Sequence, residues 1–585
     1  MTASEIRERI LQTVSRNGGH LASSLGAVEL AMALHQSFDP VKDRIVWDVG
    51  HQAYAWKILT GRADRFDTLR QLDGVSGFTN PFESPADAAV AGHAGVAISI
   101  AEGYAAARDL RGSDEHVVAV IGDASISNGT SLEALNNCAN ACRKVIVILN
   151  DNEMSISKPT GALSRYLGRL IAGRRYNRMK TSVKHACDTL HLEWVHRAVH
   201  AGKAFLKRML LGEMYFEQVG LRYMGPVDGH DLSALLAALE VAKREDRSVL
   251  LHVVTQKGRG YRPAEQDPTR WHGVGPFSLE DEVRSDDSPS SSSARGWSDV
   301  FGGTLCDLAE KDDRIVALTA AMKDGTGLAD FAVRFPSRFH DVGISEGHMV
   351  SFAAGLAAGG MRPVVAVYST FLQRAVDHVM HDVCIAGLPV VFCVDRAGVV
   401  GADGVTHQGV FDIAMLRALP NLTICQPKDE ADFRDLLREA LERKGPTVIR
   451  YPRGKAPLAV PVPPAPENPR FAIWATGDWY PRACEVAARL GGEAVHARYL
   501  KPFDADLLAR QRKSGRLIVS LENGSVSGGL GEALGADVKF GWPDAFVPHG
   551  TQAELEHRYG LDLASLVDRL SNLSISQHLN STTNG

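Results

Sequence analysis

Two apolar runs in this chain end in residues suited to holding a cation. VVAVIGDASIS, residues 117–127, stays apolar until Gly122 and Asp123, and VIVILNDNEMSIS, residues 145–157, stops at Asn150, Asp151 and Asn152. Each run reads as a buried strand, and in open α/β sheets ligands bind beyond the carboxyl ends of strands. Asp123 and Asn152 lie 29 residues apart, about one crossover helix. A carboxylate, an amide and backbone carbonyls suit Mg²⁺, a hard cation whose other ligands are often phosphate oxygens. The pair therefore reads as a Mg²⁺ site carrying a diphosphate. The plainer alternative is a turn aspartate and a turn asparagine after two strands.

Strands able to position such residues recur along the chain. HVVAVIGD, KVIVILND, SVLLHVVTQKG, RPVVAVYS, LPVVFCVDRAG, TVIRYPRG, RFAIWATG and GRLIVSLENG are continuous apolar runs that alternate with helical patterns. That alternation predicts parallel sheets covered on both faces. A serine-rich stretch (284–296) and a proline-rich one (458–470) cannot bury a core. They divide the chain into expected α/β domains at 1–283, 297–457 and 466–570. The first carries a basic insertion near 160–212, read as solvated, and the tail from 574 reads as disordered.

Composition is that of an ordinary soluble protein: 45% hydrophobic residues and a net charge of −5 exert no general pull on nucleic acid or an anionic membrane. The eight cysteines form no C-x-x-C pair, which points to a reducing, cytoplasmic setting. Cys138 and Cys142 read as helix packing. The N-terminus is charged and amphipathic rather than a signal peptide, and no apolar run approaches the roughly 18 residues of a membrane span.

G-D-x followed some thirty residues later by N is the thiamine diphosphate signature. GGHLASSLGAVEL, DRIVWDVGHQAYAWKILTGR, GPVDGHD, KGRGYRPAEQDP, YSTFLQRAVDHVMHDV, DRAGVVGADGVTHQG, RYPRG and PHGTQAEL extend the match from about residue 5 to 570. The chain resembles the 1-deoxy-D-xylulose-5-phosphate synthase family of transketolase-like enzymes. The resemblance implies three doubly wound α/β domains of transketolase type, a homodimer, thiamine diphosphate and Mg²⁺ as cofactors, and pyruvate and D-glyceraldehyde 3-phosphate as substrates. Their decarboxylating condensation would give 1-deoxy-D-xylulose 5-phosphate and CO₂.

The resemblance also assigns residues. Asp123, Asn152 and the carbonyl of Met154 would hold Mg²⁺. Glu346 would hydrogen-bond the cofactor's pyrimidine, a role that suits a buried carboxyl of raised pKa. His20, His51, His272 and His407 would move protons. His51, Gly92, His93, Ala94, Gly122, Ala124, Ser125 and Tyr261 would contact the cofactor, and Phe371 would pack on its pyrimidine. Arg396 and Arg453 would bind the acceptor's phosphate, with Tyr368, Asp403 and His407 also on the substrate side.

Two loops depart from the family pattern. Ala124 stands where the family has glycine, and GHAGVAIS (92–99) lacks the hydroxyls of G-H-S-S-T-S-I-S. A positive φ at Ala124 would cost strain and a negative φ nothing. The lost hydroxyls favour weakened cofactor binding, so Ala124→Gly with serines at 94 and 95 is expected to tighten it. They also keep two other readings open: a carboligase or transketolase with another acceptor, and a non-catalytic homologue.

Overall fold

A computed structural model describes residues 1–152, 215–279 and 295–582, with side chains to residue 572. Met154, the basic insertion and most of the serine-rich stretch lie outside the described residues. The chain forms two units: Met1–Leu69 with Val75–Glu282, and Arg70–Gly74 with Val283–Gly585.

The first unit holds strands β1 (Arg44–Trp47), β2 (Val117–Gly122), β3 (Ile146–Asp151), β4 (Arg222–Asp228) and β5 (Val249–Val254). They form one all-parallel sheet in the order β1-β2-β3-β5-β4. Successive side chains of a strand point to opposite faces. Accordingly Val118, Val120, Ile146 and Ile148 enter one buried cluster, while Val117, Ala119, Ile121 and Val147 enter another. Both faces are covered, which is why these strands read as unbroken apolar runs.

The second unit contains two sheets. Strands β6 (Ile315–Thr319), β7 (Phe339–Asp341), β8 (Arg362–Tyr368), β9 (Val391–Asp395), β10 (Thr423–Cys425) and β11 (Thr447–Arg450) pair in parallel. Strands β12 (Phe471–Ala475), β13 (Glu493–His496), β15 (Leu517–Ser525) and β16 (Val538–Trp542) form a smaller parallel sheet. Between β13 and β15 in sequence, β14 (Tyr499–Lys501) leaves that sheet and pairs antiparallel with β10. The larger sheet therefore runs β14-β10-β11-β9-β8-β6-β7.

One expectation is corrected at the C-terminus. Residues 574–582 belong to a helix, Leu563–Thr582. Leu563, Leu566, Leu570 and Leu573 recur at helical spacing, and Leu566 and Leu570 are buried against the β12–β16 sheet's core. Composition alone had masked that period. Among the described residues no helix is long and apolar enough to cross a membrane.

Candidate functional site

In the first unit, Asp123 follows the end of β2, and Asn152 follows the end of β3, the adjacent strand. Asp123 is buried, and burial together with the nearby Asp151 carboxylate pushes its pKa up to about 7, partly offset by Lys257. Lys257, also buried, is brought down to about 8. Among the described residues no three His, Cys, Asp or Glu side chains gather into a metal cage. The donors here are instead an acid and an amide at neighbouring strand ends.

His20, His51 and His272 come together although 252 residues separate the first and last. Their ring centroids lie 6.0 Å (20–51), 5.6 Å (20–272) and 5.3 Å (51–272) apart. Burial, then the proximity of the other rings and of Lys257, lowers the pKa of His272 well below 6.5, and His51 is lowered well below it for kindred reasons. Tyr261 is buried edge-on to Trp271, with ring centroids 5.2 Å apart.

The GHAGVAIS loop is built around Asp48, which sequence reasoning missed. Its carboxylate accepts from the backbone N–H groups of Gly95 (2.9 Å), Val96 (3.1 Å) and Ala97 (3.2 Å) at the start of the helix Ala97–Arg111. Helix N-termini attract anions, and here the anion is the protein's own. Gly92 and Ala94 are buried and His93 half-buried beside it. Val49, next to Asp48, has φ of 62°, rare for a β-branched residue. Only this fold, not the residue types, betrays the role of Asp48.

The two loop departures resolve differently. Ala124 has φ of −73° and ψ of −39°, so alanine fits and the costly alternative falls away. Gly95 has φ of +86°, and a Cβ there would lie 2.5 Å from Asn128 Oδ1. A serine at 95 cannot be accommodated without rebuilding, which argues against the expected gain from restoring a hydroxyl at that position. Gly122 and Ser125 flank the same turn, and Ser125 is buried.

A buried ion network supports the preceding loop. Arg62 donates to both oxygens of Asp87 (2.6 and 3.0 Å), while Lys57 donates to Glu83 at 2.6 Å. Glu83 and Asp87 in turn accept from the backbone N–H groups of Ser76 and Asn80.

In the second unit, Glu346 opens the helix Glu346–Ala358 and is 4% exposed. Burial raises its pKa, and the Arg374 guanidinium, 3.8 Å away, partly offsets this. Tyr368, Phe371 and His407 form a ring series with centroid separations of 5.8 and 5.6 Å. Arg396, immediately after β9, stands over Tyr368 with φ of 57°. Asp403 pairs with Arg70 at 2.7 Å, a partner that no local pattern announces across 333 positions. Arg453 is exposed, with Arg396, Asp403 and Arg70 all near enough to bear on its charge. Burial, with Arg396 and Arg70, lowers the pKa of His407, while Asp403 opposes this.

Parallel sheets with an acid and an amide at adjoining strand ends, and a buried carboxyl opening a helix beyond another sheet, are features of a transketolase-type α/β protein. The family model for the transketolase pyrimidine binding domain matches residues 293–458, and that for 1-deoxy-D-xylulose-5-phosphate synthase matches residues 1–255. The 1-deoxy-D-xylulose-5-phosphate synthases of Oleidesulfovibrio alaskensis and Desulforudis audaxviator are 48% and 47% identical to the chain, over 96% and 97% of it and 93% of each relative. The 1-deoxy-D-xylulose-5-phosphate synthase 2 of Geobacter sulfurreducens is 45% identical over 98% of the chain and 96% of the relative. The chain belongs to the 1-deoxy-D-xylulose-5-phosphate synthase family.

Proposed function

We propose that the protein condenses pyruvate with D-glyceraldehyde 3-phosphate, releasing CO₂ and forming 1-deoxy-D-xylulose 5-phosphate, a precursor of isoprenoids, thiamine and pyridoxal. The observation that carries this reading is near-full-length similarity to synthases of that name. It outweighs a carboligase with another acceptor and a non-catalytic homologue. We further read the enzyme as a cytoplasmic homodimer of three α/β domains, 1–283, 297–457 and 466–570.

Thiamine diphosphate, when bound, supplies the nucleophilic carbon and the electron sink for decarboxylation. The residues fit it and Mg²⁺. Asp123 and Asp151 crowd two buried carboxylates together, a charge that a divalent cation would relieve, and the amide of Asn152 adds a neutral oxygen. Asp123, Asn152 and the carbonyl of Met154 would hold Mg²⁺, with Gly122, Ala124, Ser125, Gly92, His93 and Ala94 along the diphosphate. Glu346, whose pKa burial raises, would hydrogen-bond the pyrimidine N1′, with Phe371 and Tyr261 packing on the cofactor. His51 and His272, whose pKa values burial lowers well below 6.5, would exchange protons with the reacting groups, with His20 beside them. Arg396 and Arg453 would neutralise the acceptor's phosphate, with Tyr368, Asp403 and His407 orienting its polar groups.

Purified protein given pyruvate, D-glyceraldehyde 3-phosphate, thiamine diphosphate and Mg²⁺ should release CO₂ and yield the five-carbon ketose phosphate, identified by mass and NMR. Turnover only with a different aldehyde, or none at all, would overturn the reading.

A further inference from the structure

Behind the strand end that carries Asn152, three side chains form a hydrogen-bonded row. The Tyr223 hydroxyl lies 2.7 Å from His252 Nδ1, and His252 Nε2 lies 3.0 Å from Asp151 Oδ2. His252 is fully buried and Asp151 nearly so. A carboxylate accepts, so in the neutral ring Nε2 carries the proton and Nδ1 accepts from the phenol O–H. Donation runs one way, from Tyr223 through His252 to Asp151.

The sheet is deformed to make this row. Tyr223 and Met224 of β4 pair with Leu250 and Leu251, but pairing resumes only at Val227 and Val253. Gly225 and Pro226 therefore face the single residue His252, a bulge of one extra residue. Gly225 has φ of +118°, and a Cβ there would lie 2.4 Å from the His252 carbonyl oxygen, an approach that only glycine permits. Bulges of this kind re-aim neighbouring side chains. The opposite face of β3 is gripped as well: Asn150 Nδ2 donates to Gln52 Oε1 at 2.6 Å, and Thr255 Oγ1 donates to Asn150 Oδ1 at 2.7 Å. A buried histidine–carboxylate pair is a poor device for stability alone, whereas a strand end fixed on both faces holds the next residue in place.

We propose that Tyr223, His252 and Asp151 are positioning residues that set the carboxyl end of β3, and with it Asn152, for the cation opposite Asp123. This rests on reading that site as one for Mg²⁺ and diphosphate. Outer partners of metal ligands commonly carry about 10- to 100-fold in metal affinity, and the row is such a partner.

The test titrates thiamine diphosphate by calorimetry into the full-length protein at a series of Mg²⁺ concentrations, with thermal melts reporting the fold. His252→Leu should raise the Mg²⁺ concentration for half-saturation by about 10- to 100-fold. His252→Gln, whose amide N–H can take the place of Nε2, should recover most of that. Tyr223→Phe, which removes one oxygen, should cost about two- to tenfold, and decides the matter alone should His252→Leu not fold. Unchanged Mg²⁺ requirements in His252→Leu and Tyr223→Phe would overturn the inference while leaving the functional reading intact. A His252→Gln as weak as His252→Leu would replace the hydrogen-bonded row with simple packing and overturn it too. Wild-type protein that binds no thiamine diphosphate with Mg²⁺ would overturn the functional reading, and this inference with it.

Discussion

The central carbon of the Arg396 guanidinium stands 3.9 Å from the centroid of the Tyr368 ring. Gly325 packs against the hydroxyl end of Tyr368, where a Cβ would lie 1.9 Å from the hydroxyl oxygen. The ring is a fixed platform that orders an arginine otherwise free to sample solvent. Arg396→Ala or Arg453→Ala should cost about 1.5–3 kcal/mol in kcat/KM for the phosphorylated acceptor. The loss should be smaller for unphosphorylated glyceraldehyde, and Tyr368→Phe, which keeps the platform, should leave that contrast in place. Equal losses for both aldehydes would mean the arginines act on the fold rather than on phosphate.

Glu346→Gln preserves size and burial but cannot pass a proton. Cofactor affinity should stay within a few-fold of wild type while turnover falls by orders of magnitude. Proton exchange at the cofactor's reactive carbon, followed by NMR after deuterium quench, separates the two effects. Wild-type exchange in the variant would remove Glu346 from activation.

What the sequence made legible follows burial. Strands β2, β3, β5, β8, β9, β12 and β15 are covered on both faces and announce themselves as apolar runs. Strand β4, RYMGPVD, is half-exposed and interrupted by Gly225-Pro226, so nothing in its composition marks it as a sheet member. Strands β7 and β14 span three residues each, too short for any period. Asp123 could be picked out because an acid ended an apolar run. Asp48, Lys257, Arg70 and Arg374 could not, because their partners are brought to them by the fold. The histidine trio was reachable only through family resemblance, since no local spacing links residues 20, 51 and 272.

That trio makes stability pH-dependent. His51 and His272 stay neutral in the folded protein, with pKa values held well below 6.5, whereas in the unfolded chain they protonate near 6.5. Below that pH the unfolded state binds more protons, so stability falls as pH falls, by up to about 1.4 kcal/mol per pH unit for each histidine. Urea unfolding midpoints measured from pH 8 to 5 should show the decline, and His272→Gln should flatten it by about one proton. An unchanged slope in that variant would mean the ring already charges in the folded state.

Asp87 neutralises Arg62 away from water. Asp87→Asn leaves a buried guanidinium without its bidentate partner and should cost about 3–5 kcal/mol, read from chemical denaturation. A loss under about 1 kcal/mol would show that Glu83 alone can satisfy both Arg62 and Lys57.

Gly95→Ser should lower stability by about 2–4 kcal/mol, because it forces a left-handed serine and displaces Asn128, whose side chain accepts from Thr130 N–H at the start of the helix Gly129–Ala141. Ala124→Gly should loosen its turn by about 0.4–1 kcal/mol. Combined with Ala94→Ser, the triple variant should bind thiamine diphosphate more weakly than the natural protein in parallel titrations. Tighter binding would mean the loop can relax around the added side chains.

Strand β14 has a consequence for dissecting the chain. A fragment ending after β11 would look complete by its apolar runs, yet it would lack the three residues that close the edge of its sheet at β10. That edge would present unpaired backbone amides and carbonyls to any other extended chain. Cutting at the proline-rich stretch would thus trade a closed sheet edge for a template for aggregation, so any piece of this unit taken for expression must keep β14.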